Sequence, residues 1–214
     1  MLMAYFDIHT HIIPQDASQA ILSVDTHSLP IGENIRHASI GIHPWYLTEP
    51  HAEAQWKALQ DSVNDPRIIA IGEAGLDKLK GASISLQTSI FRKEIDLAET
   101  YGLPMVIHCV RAFNELIQLK KAYKPTQPWI IHGFRGKPSI AQELIRHGCW
   151  ISFGSHYQEE SVRITPIERM FIETDESKES IGNIYLRIAD TRGISLAELT
   201  ESIKKNVRKV FFKQ

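Results

Sequence analysis

Asp7-Ile8-His9-Thr10-His11 places two imidazoles two residues apart at the end of the apolar run Leu2 to Phe6. In an extended strand such residues share a face, so His9 and His11 converge on one point. Neutral imidazole suits Zn, Mn, Fe, Ni or Cu, and two histidines on one rigid strand make half of a coordination shell. A His-x-His alone is a weak signal, and a metal assignment needs further ligands. They recur down the chain, each where an apolar, β-rich run ends: Glu73 after Ala70-Ile71-Gly72, His108 in Val106-Ile107-His108, His132 after Ile130-Ile131, and Asp175 in Glu173-Thr174-Asp175. A lone strand-end histidine is more often a hydrogen-bonded core residue, and a lone carboxylate a helix cap. Four histidines and two carboxylates at five strand ends are harder to assign to coincidence. Six ligands exceed one tetrahedral zinc, whereas two ions sharing a carboxylate need about this number and keep positions for water and substrate.

The elements that must position these residues alternate along the chain. Apolar runs at approximately Ala4–His9, Ala20–Asp25, Ala38–His43, Ile68–Gly72, Pro104–His108, Trp129–Ile131, Cys149–Phe153 and Met170–Glu173 predict eight strands. Helical patterns fall at Ala52–Val63, Ser85–Tyr101, Ala112–Ala122, Ser139–His147, Ser180–Asp190 and Leu196–Phe211. Their ends are punctuated: Gly102 stops the second, Gly148 takes the C′ position of the fourth, and Ser195 with Glu198 makes a capping box for the last. The last helix presents Leu196, Leu199, Ile203, Val207 and Val210 as its core face. Parallel strands joined by helices predict an α/β fold, a (β/α)8 TIM-type barrel whose site lies at the C-terminal strand ends. With 214 residues against about 250 for a usual barrel, it must be trimmed. The connections between strands one, two and three leave no room for a full helix. The outward-facing Ala4, Phe6 and Ile8 then need cover, from the C-terminal helix or a partner subunit.

Length and composition fit one domain over residues 1–214, with 43% hydrophobic and 23% charged residues. A formal net charge of −1 argues against a strongly basic nucleic-acid coat, so polyanion binding must be local. Cys109 and Cys149 lack framework spacing and read as reduced thiols. Met1 to Phe6 is too short for a signal-peptide core, and no apolar run approaches the ~18 residues of a membrane span, so a cytoplasmic protein is expected, a monomer or small homo-oligomer.

Taken together, the motifs Asp7-Ile8-His9-Thr10-His11, Gly41-Ile42-His43-Pro44, Gly72-Glu73-Ala74-Gly75-Leu76-Asp77, Gln87 with Phe91, Ile107-His108-Cys109-Val110-Arg111-Ala112, His132-Gly133-Phe134-Arg135-Gly136 and Glu173-Thr174-Asp175 resemble the TatD family of metal-dependent deoxyribonucleases, within the wider amidohydrolase-type barrels. Asn206 followed by Val210-Phe211 also resembles the family's last helix. The resemblance implies a hydrolase acting on ester bonds, a two-metal phosphodiesterase that cleaves DNA or a short oligonucleotide. It implies Glu73 bridging, His9, His11 and Asp175 mainly on one ion, and His108 and His132 on the other. Mixed imidazole and carboxylate ligands fit Mg, Mn or Zn. The chain departs from the family in lacking a helix after strand one, in reading Glu176-Ser177-Lys178-Glu179 where a proline usually follows the strand-eight aspartate, and in carrying Gly133 where a cysteine is usual.

In such a site Asp175 is the candidate for taking a proton from the attacking water. His43 would contact the phosphate, or else stabilise the turn before Pro44. Arg111 would clamp the phosphate, or else pair with Glu115 one helical turn on. Asp77 would orient a ligand or the loop, Glu173 is read as structural, and Trp45 could stack a base although tryptophans are more often core. His27, His37, His51, His147 and His156 have no matching context. Lys78, Lys80, Arg111, Arg135 and Lys137 lie on the loops after strands four to six, and Glu159, Glu160, Glu176 and Glu179 on those after strands seven and eight. That balance favours strand ends or short single strands over long duplex. Two alternatives stand beside this reading: a metal-dependent amidase, lactonase or phosphotriesterase, disfavoured because Glu73 replaces the carbamylated lysine common there, and a catalytically silent metal-binding adaptor.

Overall fold

The computed structural model describes residues 5–14 and 16–213. Its strands are β1 (Asp7–Thr10), β2 (Ala20–Asp25), β3 (Ala38–Gly41), β4 (Ile68–Asp77), β5 (Met105–Val110), β6 (Trp129–Ile131), β7 (Trp150–Phe153) and β8 (Met170–Ile172). Its helices are α1 (Ala52–Ser62), α2 (Ile84–Tyr101), α3 (Phe113–Tyr123), α4 (Pro138–Arg146), α5 (Glu159–Ile164), α6 (Ile181–Arg192) and α7 (Leu196–Phe211). The strands form one sheet in chain order, β1 to β8, the (β/α)8 barrel fold expected from the alternation. Between β2 and β3 the described chain carries only a 3-10 turn at Thr26–Ser28, so the barrel is trimmed where the short connections required it. No helix among the described residues is long and apolar enough to cross a membrane.

By its internal contacts the chain divides into two compact units, one running up to Leu22 and resuming at Ile130, the other Ser23–Trp129. In the first unit the inner strands are buried along their length, as parallel strands covered on both faces must be. Trp150 stacks on Phe171 with centroids 5.1 Å apart, and Phe171 meets Phe211 of α7 at 5.5 Å. Along α7, Leu199, Ile203, Val207 and Val210 are buried, and Ser195 accepts a hydrogen bond from the Glu198 amide, as the capping pattern requires. The cover needed over β1 comes from this same chain. Phe6 packs edge-on against Phe212, the Tyr185 hydroxyl of α6 donates to the Phe6 carbonyl at 2.8 Å, and Ile8 is fully buried. Ala4, expected beside them, lies outside the described residues. Asp7 is buried at the head of β1, where its carboxylate accepts from the Thr174 amide at 3.0 Å, the Thr174 hydroxyl at 2.6 Å and the His9 amide at 3.3 Å. Burial pushes its pKa up to about 7 against those bonds.

In the second unit β4 is longer than its apolar pattern implied, running through Glu73 to Asp77 in register with β5 as far as Asp77 opposite Val110. Two glycines permit this. A Cβ on Gly72 would lie 2.4 Å from the Val106 carbonyl oxygen and one on Gly75 2.1 Å from that of His108, and both have φ near +145°. The Gln87 side chain of α2 then fastens the end of β4, accepting from the Asp77 amide at 2.7 Å and donating to the Asp77 carbonyl at 2.9 Å. Phe91 carries α2 onto Trp129, 5.6 Å away.

Glu94, also on α2, is sealed from water and accepts the Ile42 amide at 2.8 Å. Burial raises its pKa well above the usual 4.5, and the Ile42 bond only partly opposes this. A carboxyl with a raised folded-state pKa carries no penalty below its unfolded value and a growing one as pH climbs towards the folded value. Glu94→Gln keeps the acceptor oxygen and removes the titration. The variant is therefore expected to melt several degrees above the parent at pH 8, with the gap closing near pH 4.5. Thermal melts across that range test this, and a variant no more stable than the parent at pH 8 would refute it.

Candidate metal centre

In the first unit the end of β1 and the segment after β8 are laced together by backbone bonds. The Asp175 amide donates to the His9 carbonyl at 2.9 Å, and the His11 amide donates to the Asp175 carbonyl at 3.1 Å. Asp175 holds the left-handed conformation at φ 57°, which turns its carboxylate towards both histidines. The Nε2 atoms of His9 and His11 stand 3.7 and 3.6 Å from the same oxygen, Asp175 Oδ1. These gaps exceed a hydrogen bond. They approach the roughly 3–3.6 Å between two atoms each bound at ~2.0–2.2 Å to one ion. His9 is fully buried and His11 exposed, so the group reaches from the interior to solvent.

His132 lies in the same unit, its ring centroid 4.2 Å from that of His9. Its Nδ1 is 3.2 Å from Glu173 Oε1, which also accepts the Gly133 amide at 2.6 Å. Burial works against ionisation of Glu173, but the bond and charge of His132, helped by His9 and Ser152, hold its carboxyl below the usual range. A carboxylate on one ring nitrogen fixes the tautomer and leaves Nε2 for a ligand. Glu173, read as structural from the sequence, is thus the group that orients His132. Ligand atoms of His132, Glu173 and Asp175 come within 4.8 Å of one another, as do those of His9, His11 and Asp175.

The second unit holds another such group. Glu73 Oε1 faces His43 Nε2 at 2.8 Å and His108 Nδ1 at 2.6 Å, and all three residues are buried. On the far side of His108, Nε2 is 3.0 Å from Asp77 Oδ2, which also accepts the Trp45 indole N–H at 2.6 Å. Burial would raise the Asp77 pKa; the bonds from Trp45, His108 and the Leu79 amide outweigh it and lower it. Asp77 therefore does for His108 what Glu173 does for His132. The His43 ring is steered in turn, its Nδ1 receiving the Trp45 amide at 3.0 Å while its own amide donates to Asp25 Oδ2 at 2.9 Å.

His43, expected against a phosphate or else stabilising the turn before Pro44, stands within reach of Glu73 and His108 while its Nδ1 accepts the Trp45 amide. Trp45 is half-buried and hydrogen-bonded, and Lys80 lies 3.6 Å over its ring. Arg111 is exposed at φ 58° directly after β5, and its alternative partner Glu115 is taken by Lys78. The polar partners of these histidines were not read as a network from the sequence. Their signal is the carboxylate repeated two or four residues from a ligand, Glu173 before Asp175 and Asp77 after Glu73.

The imidazole and carboxylate donor set, partly buried and backed by second carboxylates, suits a divalent metal ion. Comparison with known proteins agrees. Residues 31–212 match the family model described as TatD related DNase. A metal-dependent hydrolase of Buchnera aphidicola is 32% identical over 165 residues, 73% of this chain and 59% of the relative, so the chain spans under two thirds of that protein's length. The 3′-5′ ssDNA/RNA exonuclease TatD of Enterobacter lignolyticus is 25% identical over 212 residues, covering 82% of this chain and 79% of the relative. The crystal structure of YjjV, a TatD homologue from Escherichia coli, superposes with a TM-score of 0.84 at 20% identity over 99% of both chains and shows the same fold. By the family match over most of its length and by this fold, the chain belongs to the TatD-related DNase family.

Proposed function

We propose that the protein is a metal-dependent hydrolase of phosphodiester bonds in nucleic acid, working on strand ends or short single strands. The observation that carries this reading is the convergence of His9 and His11 on one oxygen of Asp175 at distances suited to a shared ion. The family membership and the names of relatives such as the Enterobacter exonuclease support the substrate class.

The reading uses two divalent ions, Mg, Mn or Zn: His9, His11 and Asp175 would hold one, with the Nε2 of His132, and His43, Glu73 and His108 would hold the other. Bound ions of this kind supply a water of lowered pKa and neutralise charge on a phosphate. The chain's own residues do the rest. Asp175, with one oxygen towards the histidines and a part-exposed carboxylate, takes the proton of the attacking water. Glu173 and Asp77 hold His132 and His108 in the ligating tautomer. Glu73 and His108, buried side by side, exclude bulk water from their group.

Glu73→Ala is expected to abolish hydrolysis and lower the bound metal per chain while leaving the circular dichroism of the folded protein in place. Wild-type turnover at saturating metal would reject the two-ion reading. Asp77→Asn keeps the shape but weakens the hold on His108, and metal affinity should fall about 10–100-fold in a titration with a fluorescent chelator. An unchanged affinity would remove Asp77 from the site.

Few loop cations are available to grip a long chain. Lys78 is paired with Glu115 and Lys80 lies over Trp45, whereas Glu159 and Glu160 pair with Arg163 and Glu179 with Arg187. Contact with one or two phosphates predicts a slope of log affinity against log salt of about −0.7 to −1.4 on single strands. Binding of a short oligonucleotide across a salt series measures it, and a slope several times steeper would reveal a long groove.

A further inference from the structure

Charge is divided along α7 as sharply as hydrophobicity is divided around it. Its acids, Glu198 and Glu201, fall in the first two turns, whereas Lys205, Arg208 and Lys209 stand exposed on the last two. Spaced three and four residues apart, these cations share one face. Arg169 joins them from the 3-10 turn Ile167–Arg169 before β8: the Lys209 ammonium and the Arg169 guanidinium both lie over the Trp150 ring, 5.8 and 5.1 Å from its centroid. Asn206 fixes this arrangement from the buried side of α7, donating to the Ile167 carbonyl at 2.7 Å and the Met170 carbonyl at 2.9 Å. Trp150 opens β7 and Arg169 directly precedes β8, so the face lies at the N-terminal strand ends of the first unit. His9, His11 and Asp175 lie at the opposite ends.

The helix dipole accounts for cations in a last turn. It does not account for Lys205 and Lys209 at i, i+4, nor for a further cation brought in from another element, since such neighbours repel. Among the described residues none of the four is in an ion pair, and the arginine–carboxylate pairs of this unit use Arg163 and Arg187. A face that gathers positive charge without acids of its own, in a chain of net charge −1, is complementary to a polyanion. The ring beneath the cations cannot receive a base, because Trp150 is 3% exposed. Among the described residues of α7 no large hydrophobic side chain is exposed, as one inserted into a bilayer would be. The partner is gripped through its phosphates alone.

Resting on the nuclease reading above for the class of polyanion, we infer that this face of α7, with Arg169, is a second nucleic-acid surface, which holds the backbone of a long single strand while the strand's end is at the metal group. A strand tethered there meets the metal group again after each cut, so KM is lower for strands long enough to span both. Sequence is not read on this face, since phosphate contacts carry none.

The test measures binding of labelled five- and thirty-nucleotide oligothymidylates by fluorescence anisotropy, without added metal and across a salt series, and cleavage of both with Mn2+. The longer strand is expected to give a slope of log affinity against log salt steeper by about 2, for three further phosphates on a single strand, a difference that its larger number of binding registers does not produce. The combined variant Lys205→Gln, Arg208→Gln and Lys209→Gln should remove that difference and weaken binding of the longer strand about tenfold at low salt. On the five-nucleotide strand its kcat/KM should stay within about twofold of the parent, because the metal group is distant. Neutralising Lys57, Lys121 and Lys124 instead, on α1 and α3, should preserve the difference in slope. Equal slopes for the two lengths in the parent protein, or the same loss in both triple variants, overturn this inference alone. Capture of the parent but not of the first triple variant by vesicles of phosphatidylcholine and phosphatidylserine, with equal slopes on the oligonucleotides, would reassign the face to a membrane. No cleavage of either strand overturns the nuclease reading, whatever the salt slopes.

Discussion

A carboxylate taken out of water must be met by donors, and that requirement shapes both compact units of this chain. At Asp7 three donors from Thr174 and His9 partly offset the burial, and in doing so tie the start of β1 to the segment after β8. That tie sets Asp175 beside His9 and His11. In the second unit Asp77 and Glu73 are satisfied by imidazoles and an indole, and the same bonds orient the rings that face the candidate metal. Removing any one member leaves a buried polar group without its partner, which costs about 1–3 kcal/mol and more for a charge. Candidate chemistry and local stability therefore rest on one set of contacts.

The two histidine–carboxylate pairs share a logic. Glu173 and Asp175 both lie just past the end of β8, and the left-handed backbone at Asp175 leaves an orienting group and a ligand within reach of one another. Asp77 stands four residues beyond Glu73 on an extended β4, and repeats the device from the other direction. Such backing carboxylates raise ligand basicity and hold the ring before an ion arrives, so less ordering is needed on binding.

Much of this was legible in the order of residues. Apolar runs marked the eight strands because parallel strands buried on both faces tolerate little else, and Ser195, Gly102 and Gly148 marked helix ends through local backbone needs. The strand-end positions of His9, His11, Glu73, His108, His132 and Asp175 were legible for the same reason. What stayed hidden depends on contacts between distant segments. The extension of β4 follows from close approach to β5 at Gly72 and Gly75, which a hydrophobicity pattern does not contain. The short α5 lacks a full period, and the cover of Phe6 by Phe212 joins residues far apart along the chain. That His43 stands beside Glu73 and His108 is likewise a tertiary fact.

The indole of Trp45 shares an acceptor with a candidate ligand, since Asp77 Oδ2 receives its N–H while facing His108 Nε2. Whatever draws on His108 redistributes the electron density of that oxygen, and the change is felt one bond later at the chromophore. Trp129 and Trp150 are sealed in the core, whereas Trp45 and Trp56 are half-buried, each with a lysine across its ring. Trp45 is thereby the tryptophan one shared acceptor away from a buried candidate ligand, so its surroundings are tied to those of His108.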